Sequence, residues 1–214
     1  ALYMCNPRVE GGNLVQRSWW RYYDPEEVKV FGSEVISVDA AFKDGDKNDY
    51  VSIQVWGKTG SDYYLRYCLT KHLAFPGTVA AIRLVRKLYP AARTVLIEDK
   101  ANGSAIIQTL QAEMFCVPVN PKGGKVARVN AVSPAIESGH VYLPKGAPWV
   151  EEYVDEWSAF PNGPHDDRVD ASSQALSYML RLSGEAAPPP PPEEELLARQ
   201  ELDAFNDPNQ LYDP

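Results

Sequence analysis

The chain has 214 residues, 44% hydrophobic and 23% charged, with three cysteines and a formal net charge of -8. That is enough for one sizeable core, and no apolar run reaches the length of a membrane span. Cys5, Cys68 and Cys116 are odd in number and far apart, which argues against a disulfide framework and a CxxC-type zinc site and for a soluble protein of a reducing, cytosolic setting.

No basic-then-apolar leader opens the chain, and its abrupt start at Ala1 is expected of a fragment of something longer. Trp19, Trp20 and the tyrosines beside them are candidates to stack on bases, although such runs more often plug a core or a domain boundary. The stretch "EVISVDAAFKDGDKNDYVSIQVWG" predicts two strands, 35–41 and 50–56, joined by a polar turn. With "DYYLRYCLTKHL" it makes a three-stranded antiparallel meander.

"TVAAIRLVRKLYP" then spaces Val79, Ile82, Val85 and Leu88 as an amphipathic helix that stops at Pro90. "ARTVLIEDKANG" is a short strand, 94–98, breaking into a loop, and "SAIIQTLQAEM" is a second helix followed by the strand "CVPVN". A Gly/Lys loop, a helix and a hairpin come next, and the last helix starts at Asp166. The order predicts an α/β fold, a mixed sheet flanked by helices.

The charge is unevenly placed. From Glu185 onward there are eight acids and one base, whereas the preceding 184 residues hold 21 acids and 20 bases. The tail opens with five consecutive prolines, an extended spacer, followed by a segment able to form a helix over 193–205. It reads as a linker with a docking segment or as a solvated terminus, and the folded part is close to neutral.

Acids collect at three places. Asp39 shares a strand face with Val35 and Ser37, where a carboxylate is expensive unless paired or bound to a cation. Glu98 and Asp99 end a central-looking strand, and Asp166, Asp167 and Asp170 crowd the start of the last helix, more than a cap requires. Taken singly, each is as readily a loop or helix cap. Together, on a strand interior, a strand end and a helix start, they can converge at one sheet edge.

Hard cations such as Mg2+ or Mn2+ want such oxygen ligands, and a two-metal site hydrolyses phosphodiesters. No serine nucleophile pattern, dinucleotide-binding turn or P-loop occurs, and His72, His140 and His165 form no zinc signature. Lys122, Lys125 and Arg128, with Gly123 and Gly124 among them, are candidate DNA-binding residues through phosphate contacts that carry no sequence readout. An ordinary solvated loop is the competing reading of that stretch.

The ordered set "VDAAFKDGDKND", "LIEDKANG", "NPKGGKVARVNAVSPAIESGHVYLP" and "HDDRVDASSQALSYML" resembles the C-terminal nuclease domain of tailed-phage large terminase subunits over 34–182. The resemblance implies an RNase H-like fold related to RuvC-type resolvases, and a two-metal endonuclease that cuts concatemeric double-stranded DNA during viral genome packaging. It divides the chain into 1–30, the exit from the family's ATPase domain; 31–184, the nuclease domain; and 185–214, the Pro-rich acidic tail.

It also implies catalytic roles for Asp39, Glu98, Asp167 and Asp170 and metal contacts for Asp99 and Asp166 as neighbouring alternatives. A helical-face argument pairs Asp166 with Asp170 instead, and that choice stays open. Implied partners are DNA, the ATPase domain, the portal protein and the small terminase subunit, in the host cytoplasm and with no membrane. The isolated domain is expected to be a monomer that joins a pentameric ring when attached to its motor. The competing functions are a RuvC or RNase H-type resolvase or ribonuclease, and an assembly module that docks through the tail.

Overall fold

The computed structural model describes residues 14–27, 30–40 and 50–181, with the backbone alone at Ala101 and Asn102. The polar turn after Ala40 and the Pro-rich tail lie outside the described residues. A 3-10 turn at Arg17–Trp19 leads into strand β1 (Arg21–Tyr23), followed by β2 (Ser33–Ala40), β3 (Tyr50–Thr59) and β4 (Asp62–His72). Helix α1 (Phe75–Leu88), β5 (Thr94–Glu98), α2 (Ala101–Leu110) and β6 (Phe115–Val119) come next. The chain continues through α3 (Lys125–Glu137), β7 (Val141–Pro144), α4 (Val150–Ala159) and α5 (Asp167–Arg181).

The strands form one seven-stranded sheet in the order β1-β7-β4-β3-β2-β5-β6. The expected meander is present: β2 and β4 each pair antiparallel with β3, while β5 joins β2 and β6 joins β5 in parallel. Only β3 therefore runs against the rest, and the carboxyl ends of β2 and β5 emerge side by side, with Val38 opposite Ile97. That adjacency sets Asp39 and Glu98 next to each other along the sheet edge.

Helices on both sides explain why β2, β3 and β5 are apolar on both faces. On one side Ile36, Val38, Ile53 and Val95 pack with Val79, Ile82 and Ile106 of α1 and α2. On the other, Val35, Trp56 and Leu96 pack with Ile136 of α3, Trp157 of α4 and Leu176 of α5. Asp39 and Glu98 alternate with Val38 and Ile97, so both fall on the α5 side.

One expectation is corrected. No hairpin follows α3: β7 is a single strand that pairs in parallel with β4 and with β1, and the chain then enters α4. Val150, Tyr153, Val154 and Trp157, all buried, carry the helical spacing that makes α4. The described part of 1–30 is built into the same sheet. Strand β1 covers β7, and Trp20, 4% exposed, lies edge-on to Tyr153 and Trp157 at 5.5 Å each. Trp20 is thus a core residue. Among the described residues no helix is long and apolar enough to cross a membrane.

Candidate active site

Helix α5 is held against the sheet by polar contacts that fix where its acids point. Ser37 Oγ of β2 donates to the Ala171 carbonyl at 2.7 Å, and the Gln174 amide reaches the Ser37 hydroxyl and the Val38 and Leu96 carbonyls at 3.0, 3.3 and 3.2 Å. One turn earlier, Gln54 of β3 donates to the Arg168 carbonyl at 2.9 Å and accepts from Trp56 Nε1 at 2.9 Å. These groups are mostly buried and several bond more than one partner, so α5 is tied to the sheet by a connected polar network.

The helix start is capped from outside. Glu156 of α4 accepts from the Arg168 and Val169 backbone N–H groups at 2.6 and 3.2 Å, doing for α5 what an N-cap side chain ordinarily does. The Arg168 and Val169 N–H groups are thereby satisfied without Asp166 or Asp170, while the Asp167 carboxylate takes its own backbone N–H. The Asp170 N–H bonds the Asp166 carbonyl at 2.8 Å, so the helical winding begins at Asp166.

The acids then separate by environment. Burial, followed by the nearby charges of Asp170, Glu98 and Asp167, pushes the Asp39 carboxyl well above its ordinary range, and the Lys125 charge pulls against them. Asp170 is 7% exposed and bonds Lys125 at 2.8 Å and Arg128 at 2.7 Å. Lys125 also meets Asp166 at 2.5 Å, so Asp166 and Asp170 share one cation, as their helical face predicts. Burial lowers Lys125, but its bonds to the two aspartates outweigh that and hold it above the usual lysine range. Asp167 is half-buried and is raised by burial and by Asp166.

At the end of β5, Glu98 faces α5 and is ion-paired with Lys100. Asp99 points elsewhere: its carboxylate takes the Ser104 hydroxyl at 2.5 Å, and its N–H bonds the Val119 carbonyl at 2.8 Å. It belongs to the start of α2 and the link to β6. Gly103 explains the tightness of this corner, since a Cβ there would sit 1.8 Å from the Glu98 carbonyl oxygen.

The basic residues are not a free loop. Lys125 and Arg128 lie on α3 and are engaged by the acids, after a turn in which Gly123 adopts φ +80. Lys122 stands apart from these pairs. Sequence reasoning missed Gln174, Tyr178 and Arg181, which continue one stripe of α5 from Asp170; the polar spacing Asp170, Ser173, Gln174, Ser177, Arg181 was the available signal. It also missed that His72 and His165, remote in sequence, both pack on Tyr50, at 3.7 and 4.9 Å between ring centroids.

The donor set fits a hard divalent cation. All candidate ligands are carboxylates, and the surplus negative charge around Asp39 is what a bound cation would relieve. Lysines now hold part of that charge, and among the described residues no group of three His, Cys, Asp or Glu side chains forms a ready metal cage.

Comparison with known proteins bears on this arrangement. The family model described as the terminase RNaseH-like domain matches residues 36–179. The large terminase nuclease of the thermophilic phage G20c with bound magnesium superposes with a TM-score of 0.57 at 17% identity, over 78% of this chain and 97% of that one. The zinc-bound form gives 0.56 at 18% identity, over 75% and 95%. The large terminase of a second thermophilic bacteriophage, in complex with ADP, gives 0.56 at 13% identity, over 74% of this chain and 44% of that one, so the present chain spans less than half of it. No curated protein matches. The mixed sheet, its flanking helices and the matched residues make this chain a member of the terminase RNaseH-like domain family.

Proposed function

We propose that the domain is a metal-dependent endonuclease that cuts concatemeric double-stranded DNA for a phage packaging terminase. The observation that carries this reading is the convergence of Asp39, Glu98 and Asp170, from β2, β5 and α5, on one side of the sheet with more negative charge than the neighbouring cations balance. Asp39, Glu98 and Asp170 would hold the metal, with Asp167 beside them; Asp166 is the outer partner of Lys125, and Asp99 serves the α2 corner. Magnesium or manganese bound there would supply water activation and leaving-group stabilisation for in-line phosphodiester hydrolysis, in a two-metal arrangement.

The chain's own residues supply the rest. The Gln174 and Ser37 bonds keep α5 at a fixed height over β2, so the carboxylates from strand and helix keep their spacing. Lys122 and Arg181 face the same cleft and suit phosphate contacts, which add affinity without reading bases and so favour cutting with little sequence preference. The bound magnesium and zinc of the G20c nucleases support a divalent-metal reading of the related site. A RuvC or RNase H-type resolvase or ribonuclease uses a similar carboxylate set, but the match to terminases favours packaging. In that role the domain would act in the host cytoplasm beside an ATPase domain, the portal and the small terminase subunit, and be monomeric alone. The docking role proposed for 185–214 falls outside the described residues.

The test is supercoiled plasmid incubated with the chain over a magnesium and manganese titration. Nicking and linearisation should need metal, fall by at least about 100-fold in Asp39→Asn and Glu98→Gln, and survive in Asp99→Asn. Cutting that persists in chelator sinks the reading.

A further inference from the structure

Beside the carboxylates, a cleft of about 410 Å3 opens between α3 and the outer stripe of α5, floored by the end of β6. Glu98 and Asp170 stand on its border, so it is continuous with the acidic site. The volume lies within the range of small-molecule sites, about 300–1,000 Å3. Val117, Val119, Ala127, Ala131 and Tyr178 give it apolar walls.

The cations around it fall into two groups. Lys100, Lys125 and Arg128 are ion-paired with Glu98, Asp166 and Asp170, and a cation bonded to a carboxylate is poorly available to a phosphate. Lys122 and Arg181 also line the cleft, and among the described residues neither has a carboxylate partner. The cleft thus has an acidic end, an apolar middle with one aromatic ring, and a cationic margin.

We infer that the cleft receives one unpaired nucleotide of the strand being cut, next to the reacting phosphodiester, with its base against Tyr178 and its outer phosphate at Lys122 and Arg181. This rests on the nuclease reading and deepens it. A base stacked and paired within a duplex cannot enter a recess of this size, so the occupant is unpaired. An apolar wall with a phenol ring accepts any base through its π-face, so the cleft fits an enzyme with little sequence preference. The outer phosphate is attracted by the cationic margin, which holds the nucleotide in the cleft from the side away from the carboxylates. Local unpairing at the cut is the functional consequence.

Ala127→Trp and Ala131→Trp test this, because both positions are exposed on α3 and line the cleft, so an indole there fills it without entering the core. Melting temperatures of the variants check the fold. In the Asp39→Asn chain without divalent metal, the anisotropy of a labelled short thymidylate strand should show binding weakened roughly tenfold by either filling substitution, the scale of one lost base stack. Binding unchanged in filled variants that melt like their parent overturns the proposal. With the unmutated chain and magnesium, a duplex carrying a central mismatch should be cut faster than its fully paired counterpart, and Ala131→Trp should erase that ratio. Equal rates on both duplexes overturn it as well. The two readings fail separately: fill-sensitive strand binding without metal-dependent cutting removes the nuclease and keeps the cleft, whereas metal-dependent cutting with fill-insensitive binding removes the cleft alone.

Discussion

Glu156 of α4 and Asp39 of β2 are both pushed above the ordinary carboxylate range by burial, yet their neighbours act on them in opposite senses. Around Glu156, the Arg168 guanidinium and the Arg168 and Val169 N–H groups all favour the charged form. Around Asp39, the carboxylates of Asp170, Glu98 and Asp167 add to the penalty, and the Lys125 charge, a smaller influence than any of these, opposes it. The first cluster closes on itself: Arg168 spans Glu156 and Glu152 at 3.0 and 2.6 Å, and only its Nε lacks a hydrogen bond among the described residues. Both clusters flank the same turn of α5. A fold tolerates buried charge when each group meets its complement, and a local surplus of one sign marks a place kept for something else.

The closed cluster should be the more costly to break. Glu156→Ala removes the partner of a largely buried guanidinium and uncaps two N–H groups of α5, and breaking a buried pair from one side costs about 3–5 kcal/mol. Urea unfolding measures it, with Glu156→Gln, which keeps an acceptor for the backbone, expected to lose less. If Glu156→Ala costs under about 1 kcal/mol, the cluster is not holding α5 and the contrast with Asp39 collapses.

The next effect falls on the other cluster through the backbone. In Gly103→Ala the new Cβ would meet the Glu98 carbonyl oxygen at 1.8 Å, so β5 and α2 must part. Overpacking of this kind costs about 1–3 kcal/mol. Because the displaced carbonyl belongs to Glu98, cutting should fall by more than the loss of stability alone explains, read as a lower rate at temperatures where the variant is fully folded. Unchanged cutting by a destabilised variant would mean that the position of Glu98 is unimportant.

The same contrast explains what could be read from the sequence. The meander, α1, β5, α2 and β6 follow from apolar periodicity, which reports burial directly. The convergence of Asp39 and Glu98 is legible too, because alternation along a strand fixes the face of each residue and the parallel pairing of β2 with β5 aligns their ends. What periodicity cannot report is pairing between charges remote in the chain. Lys125 and Arg128 read as free phosphate contacts because their aspartate partners lie about forty residues away in sequence, at separations of 41 and 42. Glu156, the cap of α5, reads as one more surface acid. Strand β1 and helix α4 were hidden for another reason: three residues are too few for a pattern, and the aromatic spacing of α4 follows a Pro/Gly-rich turn that suggests a hairpin.

The smallest effect is the most diagnostic of surplus charge. Asp39 holds its proton to higher pH in the folded chain than in the unfolded one, where carboxyls titrate near their usual value of about 3.9. Between those two values the folded state binds more protons, so stability falls as pH rises through that window, and above it the penalty of the charged form is complete. Asp39→Asn removes the titration and keeps the shape. The variant should therefore match the parent in stability below about pH 4 and exceed it by about 1 kcal/mol at neutral pH, without divalent metal. Urea midpoints from acid to neutral pH measure the difference. A variant less stable than the parent at neutral pH would mean that bonds within the fold hold the charged Asp39 carboxylate, and the carboxylate cluster would then be structural.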